Sequence, residues 1–174
     1  MLELSIKNQV GEIMKLVIRP MIAKDIERTA YVHWKAWQDT YHGLIDEQYM
    51  HSKTLAYSID RFNRSFENTL VADLDDQIVG FIMYGKYRDQ DLNNVGEIYS
   101  LYVLKAYHHQ KIGTRLMDSA LKELTTYRST IVWVLKGNEP AMAFYQRYGY
   151  EFDGKEKTIR LGTENTELRM IYRK

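Results

Sequence analysis

A chain of 174 residues with 45% hydrophobic and 27% charged residues holds enough apolar mass for one packed domain, which excludes wholesale disorder. Its formal net charge of +1 gives no general attraction to nucleic acid or membrane, and its lack of cysteine excludes disulfides, a thiol nucleophile and thiolate metal ligands. No apolar run approaches the roughly 18 residues of a membrane span, and MLELSIKNQVGE lacks a signal-peptide core, so a cytoplasmic protein is expected.

Residues 1–14 show no clear periodicity and read as an N-terminal arm of uncertain structure, with a single domain over 15–174. The first convincing strand is Lys15 to Arg19, ended by Pro20. A helix follows, with Asp25 and Glu27 in its first turns, where carboxylates favour the dipole. Ile26, Ala30, Trp34, Trp37 and Tyr41 recur along it at helical spacing. Gly43 breaks the pattern, and Leu44 to Met50 reads as a second, shorter helix. The aromatic stripe is either core-facing or, with His42, the rim of a substrate cleft. Asp39, Asp46 and Glu47 near that joint are either a solvated face or an attraction for a cation.

After a partly helical stretch over 51–67 comes a hairpin, with strands Thr69 to Ala72 and Ile78 to Tyr84 around a polar turn, Asp73 to Gln77. The next strand, Glu97 to Val103, runs into a polar connection, Lys105 to Gly113, and then into a helix striped by Ile112, Leu116, Ala120 and Leu124. A strand, turn and helix N-terminus in succession make a natural anion site, because unpaired helical N–H groups and the positive end of the dipole face the turn. Thr130 to Leu135 is a further strand. Asn138 as N-cap, Pro140 in the first turn and Gly149 past the end punctuate a compact helix. Tyr150 to Lys155 and Glu167 to Tyr172 are the closing strands, with a turn region around Gly162, Thr163 and Asn165 between them. The expected fold class is α/β: a mixed, mostly antiparallel sheet with helices on both faces.

Two segments carry a family resemblance. His108-His109-Gln110-Lys111-Ile112-Gly113-Thr114 follows the strand Leu101-Tyr102-Val103, where the GNAT superfamily of acyl-CoA N-acyltransferases has R/Q-x-x-G-x-G/A. Asn138 to Tyr150 matches that family's N-x-x-A-x-x-F-Y-x-x-x-G-F/Y. The chain resembles this superfamily across Lys15 to Tyr172. The resemblance implies a splayed pair of parallel strands, with Val103 and Trp133 on opposite sides of the gap, and acetyl-CoA as cofactor. It implies a pyrophosphate cradle of His109, Gln110, Lys111, Ile112, Gly113 and Thr114, preceded by His108 where the family has Arg or Gln. It also implies backbone pairing of the pantetheine arm with Leu101, Tyr102 and Val103, and a polar cofactor contact at Asn138. Lys111 replaces a family glycine; a backbone kept at negative φ would still let it offer its N–H.

By the same resemblance Tyr145 is the acid for the leaving thiolate; its other reading is a core aromatic. The base is either Glu97, acting through a water with Tyr99 in the same cleft, or a chain of waters with no defined base. The acceptor side is assigned to Trp37, Tyr41, His42 and Tyr99. The expected activity is acetyl transfer to a primary amine of a small molecule, polyamine-like or amino-sugar-like. The alternatives are a protein N-terminal or lysine acetyltransferase, and a non-catalytic acyl-CoA-binding regulatory domain. No metal is expected, since the adjacent His108 and His109 point apart. A homodimer formed through the C-terminal strand is common in the family.

Overall fold

The computed structural model describes residues 2–7, 13–89 and 91–173. Its centre is one sheet of eight strands, β1 (Leu2–Lys7), β2 (Ile13–Pro20), β3 (Thr69–Leu74), β4 (Gln77–Lys86), β5 (Val95–Val103), β6 (Ser129–Leu135), β7 (Glu151–Leu161) and β8 (Thr163–Arg173). They lie in the order β1-β2-β3-β4-β5-β6-β8-β7, and all neighbours are antiparallel except β5 and β6. Part of the expected N-terminal arm is thus a strand pairing with β2, from Leu2 opposite Ile18 to Lys7 opposite Ile13; its residues 1 and 8–12 lie outside the described residues. The C-terminal strand β8 is paired on both sides, so it offers no edge to a second copy, and β7 is the edge strand at that end of the sheet.

Five helices cover the sheet: α1 (Ile26–Tyr41), α2 (Glu47–Ser52), α3 (Leu55–Arg64), α4 (Ile112–Glu123) and α5 (Glu139–Arg147). On one face, Leu116, Met117 and Ala120 of α4 and Met142 and Tyr145 of α5 pack on Leu16, Ile82, Ile98, Val132 and Met170. On the other, Ala30 and Val32 of α1 and Phe62 of α3 pack on Val71 and Phe81. No described helix is long and apolar enough to cross a membrane.

Local chemistry moved several expected boundaries. Asp25 does not simply face a helix dipole: its carboxylate accepts Arg19 Nη1 at 2.6 Å and the Ile22 N–H at 3.0 Å, tying α1 to β2. The second helix starts at Glu47 because Asp46 Oδ1 accepts the Tyr49 N–H at 2.7 Å, and Thr54 caps α3 in the same way. The hairpin turn shrinks to Asp75 and Asp76, with φ of 46° and 63°, values that short polar side chains tolerate. β7 and β8 run far into the stretch read as a turn, and only Gly162, at φ +79°, separates them.

The parallel pairing of β5 and β6 covers only Val95–Ser129 to Ile98–Val132. On the other side of β5 the register with β4 shifts at Met83/Tyr84, so that Tyr99 is an extra, bulged residue. The shift coincides with the point where the parallel pairing ends. Beyond it, Ser100 to Val103 keep their bonds to β4, while Trp133 to Leu135 keep theirs to β8, and a gap opens between them.

Candidate active site

The turn from His108 to Lys111 brings α4 to the mouth of this gap. Asp46, Thr54 and Asn138 cap α2, α3 and α5, whereas α4 begins with no side-chain cap. Its first N–H groups are therefore free to meet a ligand. Two residues of the turn are left-handed, His109 at φ +62° and Lys111 at φ +61°. The negative φ that would have kept Lys111 unstrained is absent: a glycine suits this position for its conformational freedom, and a lysine held there stores about 1 kcal/mol. Lys111→Gly is accordingly expected to raise unfolding stability by about 0.5–1 kcal/mol, the relieved strain being partly offset by a freer unfolded chain. Chemical denaturation checks this, and a loss of stability would contradict the strain.

His108 Nε2 bonds the Val103 carbonyl at 2.9 Å, and Gln110 Nε2 donates to Ala106 O at 3.5 Å, so both side chains shape the turn itself. A Cβ at Gly113 would meet Phe144 at 3.7 Å and Val103 at 3.9 Å, ordinary contacts. The protein's own packing does not require glycine there, although glycine in a helix costs about 1 kcal/mol against alanine. The Thr114 carbonyl accepts the Tyr148 hydroxyl at 2.7 Å, which joins α4 to α5. Asn138 is buried as the α5 cap, with Oδ1 accepting the Ala141 N–H at 3.3 Å.

Three phenols cluster beside the gap. Tyr41, from the end of α1, and Tyr102, from β5, have hydroxyls 3.3 Å apart. Tyr145, on α5, is a core aromatic buried among Phe144 and Tyr150, near enough to Tyr41 to feel that phenol. Burial, and then the Tyr150 and Tyr41 phenols, hold the Tyr145 pKa well above that of ordinary tyrosine. Tyr102 is raised for the same first reason.

The remaining expected site residues stand apart. Both oxygens of Glu97 are taken by Arg88: Oε2 accepts the Arg88 N–H and Nε at 3.1 Å each, and Oε1 accepts Nη2. Only 2% of the Glu97 side chain is exposed. Glu97 is thus one half of an ion pair with Arg88, its oxygens already accepting three donors. Glu97→Gln is expected to cost about 1–3 kcal/mol of stability and to leave kcat within a few-fold of wild type; a kcat loss of 100-fold or more in folded protein would restore the base. The Tyr99 hydroxyl donates to Lys86 O at 2.6 Å, and its ring packs under the Arg88 guanidinium. His42 lies on the exposed bend after α1, turned toward Glu47 at 3.8 Å, and does not join the gap.

Four side-chain polar atoms are buried without a partner among the described residues: Thr29 Oγ1 on α1, and Ser100 Oγ, Trp133 Nε1 and Arg115 Nε; of the last three, Ser100 and Arg115 had no role in the sequence reading. For Ser100 the signal was a serine inside the run Ile98-Tyr99-Ser100-Leu101-Tyr102-Val103. For Arg115 it was a cation near a helix N-terminus, where the dipole disfavours positive charge unless an anion sits between. The uncapped α4, the orphaned Arg115 Nε and the unforced Gly113 together suit a phosphate-bearing group, and the gap above them suits an extended arm. The site fits acetyl-CoA.

Known proteins agree with this geometry. The family model described as Acetyltransferase (GNAT) family matches residues 29–150. An uncharacterized N-acetyltransferase, YuaI, of Bacillus subtilis (strain 168) is 31% identical over 140 residues, 78% of this chain and 80% of that protein. A spermidine N(1)-acetyltransferase of Thermoplasma acidophilum is 27% identical over 151 residues, 80% of this chain and 91% of that one. The crystal structure of PaiA N-acetyltransferase from the same organism, in complex with coenzyme A, superposes with a TM-score of 0.71 at 24% identity, covering 91% of this chain and 99% of that one; the likeness shows the fold. The chain belongs to the GNAT acetyltransferase family. It is an acyl-CoA-dependent N-acetyltransferase, and acetyl-CoA is its acyl donor.

Proposed function

We propose that the protein acetylates the primary amine of a small molecule in the cytoplasm, by direct attack in a ternary complex, with residues 15–174 acting as one catalytic domain. The observation that carries this reading is the Tyr41 and Tyr102 hydroxyl pair, 3.3 Å apart beside the gap between β5 and β6, with Tyr145 near enough for Tyr41 to push its pKa up. Acetyl-CoA supplies an acetyl group activated as a thioester. The N–H groups of His109 to Thr114 and the Arg115 guanidinium hold phosphate. The backbone of Leu101, Tyr102 and Val103 offers the open edge of β5 to the pantetheine amides; the Val103 carbonyl already carries His108, so its neighbours do more of that work. The buried Asn138 places α5, and so Tyr145, beside the gap.

A carbon–nitrogen bond forms, the carbon–sulfur bond breaks, and one proton passes from the amine to the thiol. A phenol held above its ordinary pKa keeps its proton at neutral pH. Full transfer from it to a thiolate of ordinary pKa near 8.5 would be uphill. Tyr145 therefore acts as a hydrogen-bond donor to the sulfur, and the proton that finally settles there comes from the acylated nitrogen. With Glu97 bound to Arg88, the amine loses its first proton through water rather than to one defined carboxylate. Trp37 and Tyr41 line the approach on the helix side.

The likeness to the spermidine acetyltransferase puts polyamines among the amines to be compared. The test is thiol release from acetyl-CoA across a panel of small primary amines. Release that depends on an amine supports the proposal. Coenzyme A binding with no amine-dependent release would leave a regulatory binding domain in its place.

A further inference from the structure

Beside the gap, α1, α2 and α3 enclose a hollow of about 140 Å³. Its inner wall is Trp37, whose ring lies 5.2 Å from that of Tyr41, and Tyr41 in turn meets Tyr102 on β5. His33, on the same wall, has its ring 5.7 Å from Tyr102. An aromatic chain, Trp37 to Tyr41 to Tyr102, thus runs from the hollow to the acyl-transfer gap.

The charge of this hollow has one sign. Among the described residues, Lys53 and Arg61 line it and no carboxylate does. Lys53 Nζ sits 4.6 Å from the Tyr49 ring centre and 4.5 Å from that of Tyr57, which orients the ammonium without neutralising it. The contact recorded for the Arg61 guanidinium is Met83 Sδ at 3.7 Å. Among the described residues neither cation has an ion pair. The acids of the helix joint are engaged elsewhere: Asp39 pairs with Lys35 at 2.7 Å, Asp46 caps α2, and Glu47 faces His42. Burial lowers the pKa of His33 to about 4, so its ring, bonded to Ser58 Oγ at 2.8 Å, is neutral and adds no compensating charge.

A polycation entering this hollow meets two like charges, at a cost that burial magnifies. An anionic group meets a guanidinium fork and an ammonium, both able to form charge-assisted hydrogen bonds. We propose that the hollow selects an acceptor that carries, besides its primary amine, a carboxylate or phosphate: an amino-acid-like or phosphoamine-like substrate rather than a polyamine. This rests on the acetyltransferase reading above and names the substrate class for that same site.

The test compares kcat/KM by thiol release for γ-aminobutyrate and ε-aminocaproate against butylamine, hexylamine and putrescine, and for phosphoethanolamine against ethanolamine. The expected result is a preference of about tenfold or more for the anionic members, with the two series telling carboxylate from phosphate. Lys53→Gln and Arg61→Gln should each raise the KM of the preferred amine about tenfold while leaving the KM for acetyl-CoA unchanged. Lys53→Glu, at a position outside the core, should turn the preference toward putrescine. A wild-type preference for putrescine or the plain amines, or a preference indifferent to all three variants, overturns the substrate class and leaves acetyl transfer standing. If no amine supports release while coenzyme A still binds, the acetyltransferase reading itself fails and this proposal with it.

Discussion

Tyr145→Phe is expected to lower kcat for acetyl transfer by about 10- to 100-fold, with the KM for acetyl-CoA and the unfolding stability near wild type. The ring keeps its contacts with Phe144 and Tyr150, so the variant removes only the O–H. What is lost is a donor to the departing sulfur, an interaction made chiefly in the transition state; such a loss shows in kcat rather than in binding. The raised phenol pKa adds a second expectation. Because burial pushes Tyr145 up, its protonated form persists through pH 10, where an ordinary tyrosine is half ionised. The wild-type rate should therefore show no fall near pH 10 that Tyr145→Phe abolishes. Steady-state kinetics across pH checks both points, and an unchanged kcat in the variant would return Tyr145 to a purely structural role.

The features legible in the sequence were those whose causes lie within a few residues. The stripe of Ile112, Leu116 and Ala120, the Asn138 cap and the alternation in β2 all act over one or two helical turns or a strand length, and each element appears where it was read. β7 was underestimated because it is largely solvent-exposed, so its apolar period is weak, and the start of β8 because its first residues are exposed and Gly162 was one turn signal among several. The fate of the ionisable groups was less legible still. Glu97 reads as a free strand-end acid until Arg88, nine residues earlier, folds back on it, and no local pattern announces that pairing. Lys111 hid its left-handed backbone because a lysine gives no hint of positive φ. The cations of the hollow were equally hard to read. Asp39, Asp46 and Glu47 are prominent in sequence, but Asp39 pairs with Lys35, Asp46 caps α2 and Glu47 faces His42, while Lys53 follows α2 and Arg61 lies on α3.

The longest-range case gives the largest expected effect on stability. Arg169 on β8 is 5% exposed. Its Nε donates to Asp153 Oδ2 at 2.8 Å, and its Nη1 donates to the Tyr87 hydroxyl at 2.9 Å and to Asp91 Oδ2 at 2.8 Å. Tyr87 donates onward to Asp91 Oδ1 at 2.8 Å. One guanidinium thus ties β8 to the bulge in β7 and to the loop between β4 and β5. That loop also carries Arg88 to Glu97, at the foot of the gap. Arg169→Met keeps the volume but leaves Asp153, 11% exposed, without this donor, and is expected to cost about 3–5 kcal/mol in chemical denaturation. Arg169→Lys should recover less than half of this, because one ammonium cannot span Asp153, Tyr87 and Asp91 with the reach of a fork.

The pH dependence separates this account from simple loss of packing. Asp91 is held below the usual carboxylate range, first by its hydrogen bond from Tyr87 and then by Arg169. A lowered native pKa contributes stability that is present above the unfolded value, near 3.9, and is lost as pH falls through the folded value. Without Arg169 that contribution shrinks, so the stability difference between wild type and Arg169→Met should be full at pH 6 and narrow below about pH 4. A difference that stays constant across the acid range would mean that Arg169 contributes through its apolar stem alone. The loop it holds would then owe its position to Tyr87 and Leu92 packed on Ile131 and Trp133, and loosening the guanidinium would leave the amine side of the gap in place.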